Sequence, residues 1–235
     1  MFMRRNFLPA FCPDRSKIAL RRIALLAFGV ALACVAMTPV AQAQHSLPAT
    51  QNDYIRLLED PKRGDWQKPE EVVSKLGLQP GDTVADLGAG SGYFTLRLAK
   101  AVGPQGKVFA VDIDPEMLDY IRQRAQNDGM KNIELVRALP HDPELPPASV
   151  DMIFICDTLH HISERPTYYP LLVKALKPGG RLVNVDFYKK PLPLGPPLEM
   201  KIDKQAMIAE AKAAGFHVVQ DFDFLPYQYF LVFQR

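Results

Sequence analysis

Cysteine is scarce in this 235-residue sequence, and position matters more than number. Of the three present, Cys12 and Cys34 fall within the first 43 residues, which leaves Cys156 alone. One cysteine forms no intrachain disulfide, and no Cys/His spacing of a metal site occurs, so no metal is expected. A surplus of one charge is also missing from most of the chain. Six of the 28 basic residues and one of the 26 acidic residues precede Gln44; the remainder holds 22 and 25 and carries about −3. That balance excludes a basic nucleic-acid surface and an anionic-membrane surface. No internal repeat is present.

The apolar run "IALLAFGVALACVAM", residues 23–37, stops at 15 residues. A membrane span usually needs about 20. Arg4, Arg5, Arg15, Lys17, Arg21 and Arg22 precede it, and Ala41 and Ala43 follow with the small-x-small spacing of a signal peptidase site. The segment therefore reads as a secretory signal peptide over residues 1–43, cleaved before Gln44 and directing export to the periplasm. The alternative is an inner-membrane anchor through residues 23–37. Residues 44–80 read as an N-terminal lid or helical segment, and 81–235 as the main domain.

Beyond that leader the pattern alternates. "PEEVVSKLGL" opens with Pro69 at a first helical position and sets Val72, Val73 and Leu76 on one face. "TVADL", "GKVFAVDID", "NIELVRA", "VDMIFICD" and "RLVNVDFY" read as buried-type strands. "FTLRLAKAV" and "DPEMLDYIRQRAQNDG" read as helices, the second with Asp114 as cap and Leu118, Ile121 and Ala125 inward. "PTYYPLLVKALKPGG" reads as a helix closed by Pro and Gly. Strands separated by helices predict right-handed crossovers and a mostly parallel sheet. After the helix "QAMIAEAKAAGF", the strands "HVVQDFDFL" and "YQYFLVFQR" meet at a short turn at Pro226, which forces an antiparallel pair. The proline-dense "KKPLPLGPPLEMKID" reads as a loop over the C-terminal edge of the sheet.

The chemistry concentrates in "DLGAGSGYF". Asp86, Gly88, Gly90 and Gly92 form D-x-G-x-G-x-G between a strand and a helix. Tyr93 stands where a dinucleotide fingerprint wants glycine, and no Lys-Ser/Thr pair follows as in a P-loop, so phosphate binding is disfavoured. A carboxylate before a bare backbone suits a cationic or amino-bearing ligand. Asp112, 20 residues after Gly92 at the next strand end, suits ribose hydroxyls.

These residues, with "VFAVDIDPEMLDYI", "ALKPGGRLVNVD" and the terminal hairpin, resemble the class I S-adenosylmethionine (SAM) methyltransferases over about residues 66–235. The likeness is to the broad type 11-like, small-molecule group. It implies a Rossmann-like three-layer sandwich with a mostly parallel seven-stranded sheet and an antiparallel C-terminal hairpin. It implies SAM as cofactor, with Gly88, Ala89, Gly90 and Gly92 under the methionine portion, Asp86 on its amino group, and Asp112 with Ile113 at the ribose. Cys156 falls beside the cofactor at the start of the acceptor-facing segment. Asp142 is the candidate for adenine, or else a surface turn residue.

The segment "CDTLHHI" lacks the N/D-P-P-Y/F motif of nucleobase amino methyltransferases and the Pro-Cys pair of cytosine C5 enzymes. A small-molecule acceptor is therefore expected, without nucleic acid; nothing in the sequence fixes the oligomeric state. His160 and His161 are candidates for a general base, one at most, since neighbours in an extended stretch point apart. Trp66 could close over the cofactor or pack on the sheet. Two other readings use the same residues: a SAM- or nucleoside-binding protein without turnover, and a polyamine-type aminopropyl transferase. Asp157, the lone acid in "CDTLHH", is little for the latter.

Overall fold

The computed structural model describes residues 50–235; the leader read above lies outside them. Three short helices come first: α1 (Gln51–Leu58), α2 (Arg63–Gln67) and α3 (Pro69–Lys75). The Thr50 hydroxyl accepts the Asp53 amide and caps α1. Lys68 breaks α2 from α3 by taking a left-handed backbone, φ 44°. The core then alternates: β1 (Thr83–Leu87), α4 (Thr95–Val102), β2 (Lys107–Asp112), α5 (Pro115–Asn127), β3 (Ile133–Arg137) and β4 (Val150–Cys156). It continues with α6 (Arg165–Ala175), β5 (Leu176–Phe187), α7 (Lys204–Ala213), β6 (His217–Phe222) and β7 (Gln228–Gln234).

All seven strands join one sheet in the order β3-β2-β1-β4-β5-β7-β6. Every pairing is parallel except those of β7, which runs antiparallel to both β5 and β6. The expected three-layer, Rossmann-like class is therefore the observed one. Period-2 alternation assigns the two faces. Leu182, Tyr229, Leu231 and Phe233 point to the side where Leu172 of α6 and Met207 and Ala211 of α7 pack. Val84, Val108, Val183 and Val232 point to the other, against Val72 of α3, Leu76 just after it, and Leu98 and Val102 of α4. Each such fully buried aliphatic side chain contributes about 1.5–3 kcal/mol.

Residues 138–149 join β3 to β4 as a loop, because Pro140, Pro143, Pro146 and Pro147 leave them without the amides a helix needs. One local expectation is corrected: α6 ends at Ala175, ahead of the Pro-Gly-Gly expected to close it. Pro178, Gly179 and Gly180 instead lie inside β5, where the register shifts between Val150↔Leu176 and Met152↔Arg181. A Cβ on Gly180 would meet the Lys177 carbonyl at 2.9 Å, which is why the bulge takes glycine.

Strand order reverses between β1 and β4. Parallel sheets carry their ligands at the carboxyl ends of the strands at such a switch point. Leu87, Asp112 and Cys156, the last residues of β1, β2 and β4, all end there.

Candidate functional site

The glycine loop leaves β1 and turns into α4. Gly88, Gly90 and Gly92 all have positive φ, at 77°, 52° and 80°. At Gly88 the demand is steric as well: an added Cβ would lie 2.1 Å from Thr158 Oγ1. The loop thus rests directly on the segment that leaves β4. The Gly88 and Ala89 amides donate to the Val111 carbonyl at 2.8 and 3.0 Å. The Gly90 amide donates to Asp112 Oδ2 at 2.7 Å, while Asp112 Oδ1 accepts the Asp114 amide at 2.9 Å. Asp112 is therefore oriented from both sides, and its carboxylate keeps lone pairs for further donors. Burial raises its pKa, against those backbone bonds.

Asp86 lies beneath the loop, buried, and accepts the Thr95 hydroxyl at 2.6 Å. Burial pushes its carboxyl up to about 7; the Thr95 bond opposes this and the nearby Asp112 charge adds to it. At the end of β4, Asp157 takes a left-handed backbone with φ 55°. Its carboxylate accepts Gln67 Nε2 at 2.9 Å and Gln228 Nε2 at 2.6 Å. Its pKa is raised, first by burial and then by the charge of Asp186. Gln67 also donates to Cys156 Sγ at 3.1 Å, and burial pushes the Cys156 thiol well up. Cys156 is thus a neutral packed neighbour of the cleft.

Ile113 and Leu139 stand at the ends of β2 and β3, whose last residues Asp112 and Arg137 are register partners. They are 58% and 44% exposed, two aliphatic side chains left uncovered at adjoining strand ends. Asp142 is three residues further on. Its backbone bridges Leu139, and Oδ1 accepts the Glu144 amide at 2.8 Å, which closes an Asx turn. The turn reading of Asp142 thus has a structural basis, and Leu139 sits nearer the end of β2.

The two histidines lie in a single 3-10 turn, Leu159–His161, and not in the extended stretch expected; their ring centroids are 4.3 Å apart, yet their surroundings differ. His160 Nδ1 lies 2.8 Å from Asp186 Oδ1 and 3.1 Å from Oδ2, with side chains 3% and 0% exposed. His161 is exposed, and its pKa is lowered by burial of the ring edge and by the His160 charge.

Several residues here gave no signal in the sequence. From the N-terminal helices, Leu58 Cδ1 reaches within 3.2 Å of where a Gly90 Cβ would be, and Gln51 Nε2 donates to Asp114 Oδ2 at 2.8 Å. Tyr54, on the same helix, has its pKa raised by burial and then by Asp112, with Asp157 and Asp114 adding and Arg63 opposing. Its hydroxyl therefore lies in the field of the cleft carboxylates. Arg63 bonds to Gln67, which carries the contact on to Asp157. Trp66 packs on Phe187 and Tyr227, with ring centroids 5.6 and 6.3 Å apart. A neighbouring hollow of about 580 Å³ shares only Tyr93 with the loop. Its arginines, Arg97 and Arg124, are already paired with Glu70 and Glu59.

Chemically, the edge offers a bare backbone, three carboxylates of unequal basicity and two uncovered aliphatics. The arginines that hydrogen-bond to the loop, Arg97 and Arg124, are spent on its Tyr93 and Ser91 carbonyls and on Glu70 and Glu59, which leaves neither for a phosphate. The set fits a ligand that joins a cationic amino acid to a nucleoside, as SAM does: carboxylates for the cation and the ribose, aliphatics for a flat base.

The family described as "Methyltransferase domain" matches residues 78–225. A SAM-dependent methyltransferase from Aquifex aeolicus superposes with a TM-score of 0.74 at 31% identity, covering 79% of this chain and 98% of that one. A ubiquinone/menaquinone biosynthesis C-methyltransferase of Francisella tularensis subsp. novicida is 34% identical over 130 residues, 55% of this chain and 51% of that protein. One of the same description from Vibrio campbellii is 30% identical over 154 residues, 65% and 59% of the two lengths. The chain thus spans about half the length of the curated relatives it matches.

Proposed function

The chain belongs to the SAM-dependent methyltransferases, and from that premise we propose that it transfers the SAM methyl group to a small-molecule acceptor at the β1/β4 edge. One observation carries the assignment of residues: Asp112 is pinned at the end of β2 by the Gly90 amide and the first turn of α5, with two carboxylate lone pairs left for a ribose diol. In this reading Asp86 and Asp157 counter the cationic amino acid end. Gly88, Ala89, Gly90 and Gly92 let that end approach the backbone, and Cys156 packs beside it. Ile113 flanks the adenine with Leu139, which takes the place first assigned to Asp142. The bound sulfonium supplies an already activated methyl group. The protein's own work is then alignment and exclusion of water, which can be worth several kcal/mol. The mildly acidic charge and the absence of nucleobase motifs after β4 support a small acceptor.

A pH dependence follows from Asp86. Its folded pKa is near 7, so it is largely protonated below that pH. A cationic ligand favours the ionised form, so binding below pH 7 expels the proton, as it does from Asp157, whose pKa is also raised. SAM affinity is expected to rise with pH and to level off above about 7, by at most tenfold per unit for one proton. Titration calorimetry in two buffers of different ionisation enthalpy measures the proton release, and labelled SAM measures methyl transfer. Tight NAD binding with no SAM binding would overturn the reading.

We also infer export, from the leader sequence alone. Cell fractionation with N-terminal sequencing is expected to find a periplasmic chain starting at Gln44. A cytoplasmic protein starting at Met1 would refute it.

A further inference from the structure

The pair on the α6/α7 side of the sheet points beyond cofactor binding. Asp186 is the second polar residue, after Asn184, in an otherwise apolar stretch of β5, and both side chains are fully buried. It accepts its neighbour's Phe187 amide at 2.8 Å and sits against His160 Nδ1 through both oxygens. Asn184 and Tyr229 hold the buried side-chain polar atoms that lack a partner among the described residues. His160 Nε2 is not among those atoms, so the nitrogen opposite Asp186 keeps an open side. His160 itself lies three residues beyond Asp157, in the turn that follows β4 at the cofactor edge.

We propose that His160 is the general base of methyl transfer and that Asp186 is its positioning residue, so that the acceptor is a nucleophile carrying a proton it must lose. This rests on the methyltransferase reading above. Asp186 accepts the Nδ1 proton and so fixes the tautomer in which Nε2 carries the lone pair. In the transfer, the acceptor's heteroatom forms the new bond to the methyl carbon, and the carbon–sulfur electron pair stays on sulfur, which loses its charge. The acceptor's proton passes to His160 Nε2, and the imidazolium that forms is held by Asp186. Hydroxyl and ring N–H acceptors fit such a site; thioethers and tertiary amines have no proton to give. A catechol, which carries two such hydroxyls, serves as the probe.

The groups facing His160 are Asp186 from β5, Asp157 beyond β4, His161 in its own turn and Arg165 from α6. Burial alone would lower the ring's pKa, but the Asp186 bond and charge outweigh it and the net shift is upward. A base must be deprotonated to act, so catechol methylation should rise with pH through that raised value.

The test is imidazole NMR on the full chain between about pH 5 and 9, with His160→Gln to assign the ring. The neutral His160 ring is expected to hold its proton on Nδ1 and to titrate above an ordinary histidine, and Asp186→Asn should move that titration downward. A proton on Nε2, or an unchanged titration in Asp186→Asn, overturns the proposal. With labelled SAM, catechol methylation should fall about 100-fold in His160→Gln, and in Asp186→Asn its acid limb should shift to lower pH as the plateau drops. Transfer to dimethyl sulfide matching that to catechol overturns the acceptor class. If neither the wild type nor the variants bind SAM in calorimetry, the methyltransferase reading itself fails, while the NMR result still decides the pair.

Discussion

Asp112→Ala is expected to weaken SAM binding by about 100-fold or more while leaving the protein folded. A charged acceptor contributes roughly 1.5–3 kcal/mol to each hydrogen bond it makes. Two ribose hydroxyls on one carboxylate therefore sum to about 3 kcal/mol at the lower bound, or two orders of magnitude in Kd. The substitution also frees the Gly90 and Asp114 amides, now held at 2.7 and 2.9 Å, so the loop loses its fixed position as well as its ligand contact. Gly90 and Asp114 are only partly buried, so the cost to folding stays small. Calorimetry gives the affinity and a thermal melt gives the control. Binding within about threefold of wild type would remove Asp112 from the ribose site.

Gly88→Ala is expected to be the most destabilising single methyl group in the loop. Its Cβ would lie 2.1 Å from Thr158 Oγ1, 2.3 Å from Cγ2 and 2.7 Å from Cβ. It would also force alanine to φ 77°, which costs about 1–3 kcal/mol by itself. Overpacking a tight contact costs about 1–3 kcal/mol more, so a loss of roughly 2–6 kcal/mol is expected in urea unfolding. Thr158→Ala in the same chain should restore only part of this. It removes Oγ1 and Cγ2 but leaves the Cβ in place and the backbone strain untouched. Full rescue would mean that φ carries no strain there; no loss at all would mean that the loop and the β4 exit are not in contact.

The fold was legible because its signals are local. Alternating apolar runs mark the strands, Asp114-Pro115 starts α5 as a cap followed by a fixed φ, and the Pro226 turn is too short to join its strands other than as an antiparallel hairpin. The misreadings were also local. "LKPGG" carries the usual stop signals of a helix, yet the same glycines serve a bulge, and only the partner strand distinguishes the two.

The site was legible where one loop and one strand end suffice, as at Gly88 and Asp112. It was not where partners lie far apart in sequence. Gln67 meets Asp157 across 90 residues and Asp186 meets His160 across 26. No spacing rule links such pairs; topology alone brings them together. One clue was available. In "RLVNVDFY" the polar residues Asn184 and Asp186 are two apart, so they share one face of the run Leu182 to Phe187, whose other residues are apolar. A buried carboxylate at that point needs a partner, and the histidines after β4 were the nearest candidates.

The place of β7 has a consequence for how the molecule is made. It is formed from residues 228–234 yet runs between β5 and β6, with six of its seven residues buried. During synthesis β5 and β6 emerge from the ribosome with no strand to separate them, and neither can complete its ladder. The sheet closes only once residues 228–234 have left the exit tunnel, so until then the nascent chain carries open, apolar strand edges. Such edges invite pairing with other chains. Until β7 has emerged, the chain is held open by its own topology, and in that state it depends on chaperones.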